Sequence, residues 1–434
     1  MTKETFSKRQ AVILSLVLGI AAMCLYTSNG RFTGTSDTIP AALLPLSILD
    51  EKNLDFNEFS NVHEPQPSWY VVKNDRVVSY YPIMPGILNT FTHLVSRQFG
   101  FICKAPCTLA AKFTSAAVSA ASVSFLFLTL IRLCQQRQTV LVITILYGVC
   151  TCVWSVASQG LWQHGPSLFF LTAALACLVR PERRWVFALG GFFLGMAVFN
   201  RPTNIMFAIP ATIYVLWRHP RLLGYFLLAA FIPALLMAWY SWEYWGSLLA
   251  LGQGHSMSSG THGSHTTNFN YPLLKGMAGL LFSPGRGLFV FSPFFLFGVP
   301  LWLYALWPWA KIDPLYRFIA FGALANLFLF SSWSIWWGGW SFGYRMLLEI
   351  VPFLMILLAA TYERWITPHR GLHTIFIITT LISFYIHFLG ATFYPTDWNS
   401  RVDIDSHPER TWDWYDSELK ALHKEFTTFL KIDY

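Results

Sequence analysis

Four polar residues stand apart from a largely apolar sequence: Asp37, Arg201, Arg286 and Arg345. A carboxylate beside a hydroxyl can take its proton during attack, and a guanidinium group fits a pair of phosphate oxygens. Asp37 lies in Thr35-Ser36-Asp37-Thr38-Ile39-Pro40, shortly after the first apolar run. It suits a general base or a metal ligand; the plainer alternative is the N-cap of a helix over 39–49. Arg201 sits in Phe199-Asn200-Arg201-Pro202-Thr203-Asn204, where the proline breaks a helix and frees backbone groups. Its plainer alternative is an arginine snorkelling to the interface. Arg286 is flanked by Gly285 and Gly287, which let a bulky anion approach the backbone, and a helix N-terminus follows. The competing reading is a turn with an incidental arginine. Arg345 closes the run Trp336-Trp337-Gly338-Gly339-Trp340-Ser341-Phe342-Gly343-Tyr344-Arg345. Glu349 comes one turn later and offers it an ion pair. Trp337, Trp340 and Tyr344 among the glycines suggest a groove for sugar rings or isoprene chains. His255, His262 and His265 crowd a Gly/Ser-rich stretch. A metal site wants fixed geometry, so this stretch reads better as a loop that orders over substrate, with His255 a substrate contact.

These residues need a scaffold, and composition defines it. The 434 residues are 54% hydrophobic and 12% charged, about half the charge of a soluble domain. Aromatics reach 17%, with 19 Trp and 38 Phe, as two interfacial belts require. The net charge of +8 is scattered in small clusters between apolar runs; this is a topology signal and not a nucleic-acid patch. Eleven apolar runs approach membrane-spanning length: 11–25, 110–133, 140–158, 161–179, 185–199, 205–217, 222–242, 287–307, 318–332, 346–361 and 372–393. The first has no small-residue cleavage site and reads as a retained helix. Cys24, Cys134, Cys150, Cys152 and Cys177 fall in or beside apolar runs as core thiols; Cys103 and Cys107 fall outside, with no recognisable disulfide or metal spacing.

Alternate connections carry the basic residues: Lys8 and Arg9, Arg132 and Arg137, Arg180 to Arg184, Arg218 and Arg221, Lys311 and Arg317, Arg364 and Arg370. That side is cytoplasmic by the positive-inside rule. The N-terminus then lies inside, and three segments lie outside: 27–106 with juxtamembrane helices, a flexible loop 246–286, and the tail 394–434. The tail holds nine Asp or Glu against five Lys or Arg. In it Trp412, Tyr415, Leu419, Leu422, Phe426 and Phe429 recur every three or four residues, forming an amphipathic helix that lies on the membrane or packs on the outer loops. The whole chain reads as one integral domain, 1–434, with Asp37, Arg201, Arg286 and Arg345 all on the outer face.

With an acidic residue early in the first outer loop, and with Ser-Pro-Gly-Arg-Gly and Trp-Gly-Gly-Trp-Ser-Phe-Gly-Tyr-Arg segments, the chain resembles the GT-C superfamily of integral membrane glycosyltransferases. These use polyprenyl-phosphate-linked sugars. The resemblance implies an all-α polytopic fold of about eleven transmembrane helices, with Asp37 as catalytic base. Many members carry two adjacent acidic residues there; Ser36-Asp37-Thr38 departs from this, so a divalent metal is not favoured and no cofactor is implied. Size, span count and acidic tail are also similar to the serotype-converting O-antigen glucosyltransferases of enteric bacteria.

The expected function is therefore inverting transfer of a sugar, glucose first, from undecaprenyl phosphate to a lipid-linked glycan such as O-antigen, on the periplasmic face of a bacterial inner membrane. Asp37 would be the base, with Arg201, Arg286 and Arg345 on the donor phosphate. The partners are the lipid donor, the lipid-linked acceptor and membrane lipids, with no nucleic acid. A transporter or flippase of lipid-linked sugars is the alternative; it calls for inverted repeats and charges near the bilayer centre, and the sequence displays neither. A non-catalytic subunit or receptor is separated from an enzyme by assaying the protein alone.

Overall fold

A computed structural model describes residues 6–59, 69–100, 108–180, 183–250, 252 and 269–432. Cys103, Cys107, His255, His262 and His265 lie outside the described residues. The chain is helical almost throughout. Its principal helices are α1 (Lys8–Thr27), α2 (Ile39–Leu46), α3 (Met84–Gln98), α4 (Thr108–Leu133), α5 (Arg137–Val149), α6 (His164–Leu178), α7 (Arg184–Asn200), α8 (Ile205–Arg218), α9 (Leu223–Trp245), α10 (Leu273–Phe282), α11 (Val299–Leu306), α12 (Pro314–Ser331), α13 (Val351–Thr361), α14 (Arg370–Phe393) and α15 (Glu418–Ile432).

Helices cover most of each of the eleven apolar runs, with breaks inside 140–158 and 287–307. Among the described residues, six helical stretches are long and apolar enough to cross a membrane: Lys8–Thr27, Thr108–Leu133, Pro220–Trp245, Pro314–Ser331, Arg345–Ile366 and Arg370–Phe393. Shorter apolar helices fill the remainder. The Arg345–Ile366 span is 89% buried by protein and sits centrally, whereas Pro220–Trp245 is only 11% buried. On α1, Val12, Leu16, Val17 and Ile20 are all more than half exposed. Such apolar faces fit lipid, where helices satisfy their own backbone groups. The chain is a multi-pass membrane protein.

Local sequence explains the starts and breaks. Ser7 and Gln10 form a capping box at α1, and Asp313 caps α12 ahead of Pro314. The run 287–307 is not one helix: it breaks at Ser292-Pro293. The freed polar groups are satisfied internally. His387 of α14 lies 2.9 Å from the Ser292 hydroxyl and 2.8 Å from that of Ser155. Ser292 also donates to the Cys150 carbonyl and meets the Tyr344 hydroxyl, which accepts from the Cys152 amide. This network ties two interrupted runs, 140–158 and 287–307, to the continuous helix α14.

Helices α7 and α9 approach through glycine. A Cβ at Gly191 would lie 2.1 Å from the Phe226 carbonyl oxygen. Gly191→Ala should therefore lower stability by about 1–3 kcal/mol. Thermal unfolding in detergent checks this, with Gly224→Ala, whose added carbon meets nothing within 4 Å, as the control expected to hold.

The outer segments differ in part from expectation. Segment 27–106 holds its helices α2 and α3 but also a hairpin, β1 (Tyr70–Lys73) and β2 (Arg76–Ser79), in register Tyr70↔Ser79. Asn74 and Asp75 take φ of 52° and 59°, the left-handed pair of a tight hairpin turn. The hairpin packs against Tyr240, Tyr244 and Trp245 at the outer end of α9. Loop 246–286 contains α10, whose Gly276 packs on the Ser331 backbone of α12. In the tail, the helix starts at Glu418, so Trp412 and Tyr415 precede it. Phe426 packs on Phe388 and Phe393 of α14, so the helix leans against the last span.

Candidate active site

Asp37 lies on the 3-10 turn Ser36–Thr38, one turn before α2. Thr38 takes the cap position of α2 and makes no side-chain cap bond, so the N-cap alternative for Asp37 fails. The Asp37 carboxylate is instead turned toward the far end of the sequence. Its Oδ2 accepts from Arg345 Nη1 at 3.0 Å, and its Oδ1 accepts from the Thr35 hydroxyl at 2.5 Å. The two charged side chains are 11% and 12% exposed. They are shielded yet reachable, a setting in which charges act more strongly than in water.

Arg345 is held from three sides. Its Nη2 donates to the Gly338 carbonyl at 2.6 Å, and its guanidinium lies 4.4 Å from the Trp162 ring centre, a cation–π contact. Its Nε is buried without a hydrogen-bond partner, as is the Trp162 indole Nε1. Two spare donors therefore stand beside the pair, and unpaired buried donors are costly. Trp162 is placed by the segment before it. The Thr33 amide donates to the Gln159 carbonyl at 2.8 Å, and a Cβ at Gly160 would lie 1.9 Å from the Thr33 oxygen. Only glycine lets the first loop come so close.

Lys112, at the outer end of α4, is 3% exposed. It donates to Gln159 Oε1 at 2.6 Å and to the Ser158 carbonyl at 3.2 Å, so a buried lysine borders the segment that carries Trp162. Tyr81 completes the wall on the first-loop side; burial, and then the Asp37 charge, push its phenol well up. Tyr81 also lines a small, partly open cleft of about 50 Å³ with Ile83, Phe199, Pro202, Tyr240 and Trp245. Among the described residues no three His, Cys, Asp or Glu side chains gather where they could hold a metal ion.

The other predicted residues are placed differently. Glu349 does not pair with Arg345. Residues 345–350 form a 3-10 helix, in which positions four apart point about 120° away from each other. Glu349, fully buried, instead accepts from Arg201 Nη1 at 2.5 Å, with His164 Nδ1 at 2.8 Å. Arg201 also lies over the Phe330 ring at 4.8 Å. Arg286 is 1% exposed and uses all five N–H groups. These go to the carbonyls of Gly285, Trp337 and Gly339, to Asn399 Oδ1 and to Glu418 Oε2. Burial pushes the Glu418 carboxyl up, against the pull of Arg286. Trp337 and Tyr344 are 4% and 0% exposed, whereas Trp340 is 42% exposed, so only Trp340 presents a face to the outside. His255 lies outside the described residues.

The structure thus joins Asp37 to Arg345, and separates Arg201 and Arg286 into buried clamps of their own. Lys112, Trp162 and His164 escaped the sequence reading because each sits inside or against an apolar run. A lysine two residues into such a run was the one available signal.

The helix order and the apolar spans define a polytopic, almost wholly helical membrane protein. The chain is similar in structure to ArnT from Cupriavidus metallidurans, solved with undecaprenyl phosphate bound: TM-score 0.55 and 11% sequence identity, covering 89% of this chain and 76% of that one. No family model and no curated protein matches the sequence.

Proposed function

We propose that this protein is an inverting glycosyltransferase of the inner membrane. It moves a hexose, glucose as first candidate, from undecaprenyl phosphate to a lipid-linked periplasmic glycan such as O-antigen. The observation that carries the reading is the largely shielded Asp37–Arg345 pair with the spare Arg345 Nε donor. The fold shared with a protein that was solved with undecaprenyl phosphate supports the class of donor.

The steps are these. Asp37 takes the proton of an acceptor hydroxyl, and the freed oxygen attacks the anomeric carbon. The bond from that carbon to the phosphate oxygen breaks, and polyprenyl phosphate leaves with the bonding electrons. The anomeric configuration inverts, and the proton passes from Asp37 to water. Arg345 meets the growing negative charge on the phosphate, through Nε and through Nη1 as it swings from Asp37. Arg201 and Arg286 act at one remove, by fixing the segments around Arg345. The apolar cleft beside Tyr81 takes the first isoprene units, and Trp340 offers its face to the sugar. Cationic help comes from arginine, so the reaction as written uses no metal.

The test is transfer by the purified protein in vesicles containing undecaprenyl-phosphate glucose and a lipid-linked oligosaccharide. Acceptor-dependent release of undecaprenyl phosphate, with inversion in the product, is expected. Arg345→Lys should lower kcat about 10²- to 10³-fold, the usual loss for one charge-stabilising donor. Movement of intact donor across the vesicle without bond breakage would assign the protein to transport instead.

A further inference from the structure

Three consecutive carbonyls in the Trp-Gly-Gly turn are gripped alternately by two arginines. Arg286 takes those of Trp337 and Gly339; Arg345 takes that of Gly338. Gly338 and Gly339 have φ of +76° and +66°, a left-handed pair that glycine alone adopts without strain. Such a turn needs holding, and the C-terminal tail supplies several holds. Glu418 Oε2 accepts from Arg286 at 2.9 Å, and Glu418 Oε1 accepts from Asn399, which also accepts from Arg286. Asp405 Oδ1 accepts from the Trp337 indole at 2.8 Å, and Asp403 Oδ1 from that of Trp340 at 2.8 Å. The Gly285 amide donates to the Thr411 carbonyl at 3.0 Å.

We propose that the C-terminal tail positions the catalytic pair: Asp405 and Glu418 lock the Trp337–Gly339 turn, whose Gly338 carbonyl sets Arg345 against Asp37. Asp405 and Glu418 are positioning residues, and the inference rests on the transferase reading for its catalytic consequence. The chain of contacts is continuous, from Asp405 to Trp337, along the turn to the Gly338 carbonyl, and through Arg345 to Asp37. A shift of well under an ångström at this carbonyl would redirect Arg345, and misplacement of that order is costly for a charge-stabilising group.

The experiment uses the full chain in nanodiscs, carrying Asp405→Ala, Glu418→Gln and Arg345→Lys singly and combined. Asp405→Ala should lower kcat about tenfold with the donor KM within about twofold. In the Arg345→Lys background the same change should cost less than about twofold, because residues acting through one another are not additive. Equal losses in both backgrounds, or none in the first, overturn the inference. Should Glu418→Gln fail to fold, Asp405→Ala, at a part-exposed side chain, carries the test alone. Hydrogen exchange over residues 336–349 reads the turn without any sugar transfer. Faster exchange there in Asp405→Ala, with α7 unchanged, is expected, and unchanged exchange overturns the inference. A wild type that transfers no sugar while its exchange responds as expected defeats the transferase reading alone.

Discussion

Asp37→Asn should lower kcat for sugar transfer about 10²- to 10⁴-fold, the usual contribution of a positioned general base. Asparagine keeps the size of aspartate, and its amide oxygen still accepts from Thr35 or Arg345. What it loses is the ability to take a proton. The donor KM should therefore stay within about threefold, because the groups that hold the donor are untouched. Thermal unfolding should move little, since an ion pair 11% and 12% exposed contributes less than a fully buried one. Initial rates of undecaprenyl phosphate release, set beside an unfolding curve of the same preparation, separate the two effects. Turnover near that of the wild type would remove Asp37 from the mechanism.

Arg201→Met should be the most destabilising single change at the outer face, by about 3–5 kcal/mol, the cost of stripping one partner from a buried ion pair. Glu349 is fully buried, and its Oε2 already lacks a hydrogen-bond partner. Without Arg201 its charge would rest on His164 alone. The double variant Arg201→Met/Glu349→Gln should recover part of the loss, because no unpaired charge then remains in the core. Thermal unfolding of the two singles and the double decides the matter. A double variant as unstable as the sum of the singles would show that the groups act separately. Because Glu349 shares a 3-10 helix with Arg345, activity in the single variants should fall along with stability.

The helical runs were legible because each carries a long apolar signal that lipid demands. Helix boundaries followed from caps such as Ser7 and from the proline at 314. Asp37 and Arg345 stood out in the sequence as charged residues near the ends of apolar runs. Partner choice was not legible. Sequence spacing offered Glu349 to Arg345, and only the tighter winding of residues 345–350 turns them apart. Arg286 looked open to phosphate because glycines flank it; instead Gly285 admits the tail at Thr411, and Gly287 packs on its own turn at Ser283. Two four-residue strands, Val-Val-Lys and Arg-Val-Val among their residues, gave too short an alternation to distinguish from a loop. Contacts that join residues hundreds of positions apart leave no local trace in composition or period.

That separation has a consequence for how the protein is made. Asp37 and Arg345 lie 308 positions apart, and Glu418 follows Arg286 by 132. The ribosome therefore delivers Asp37 early, Arg345 after most of the apolar runs, and Glu418, the partner of Arg286, later still. Through most of synthesis Asp37 lacks the Arg345 partner it has in the folded chain. A nascent chain stalled before residue 345 therefore lacks the Asp37–Arg345 pair, which can form only once the helices carrying its two members have come together.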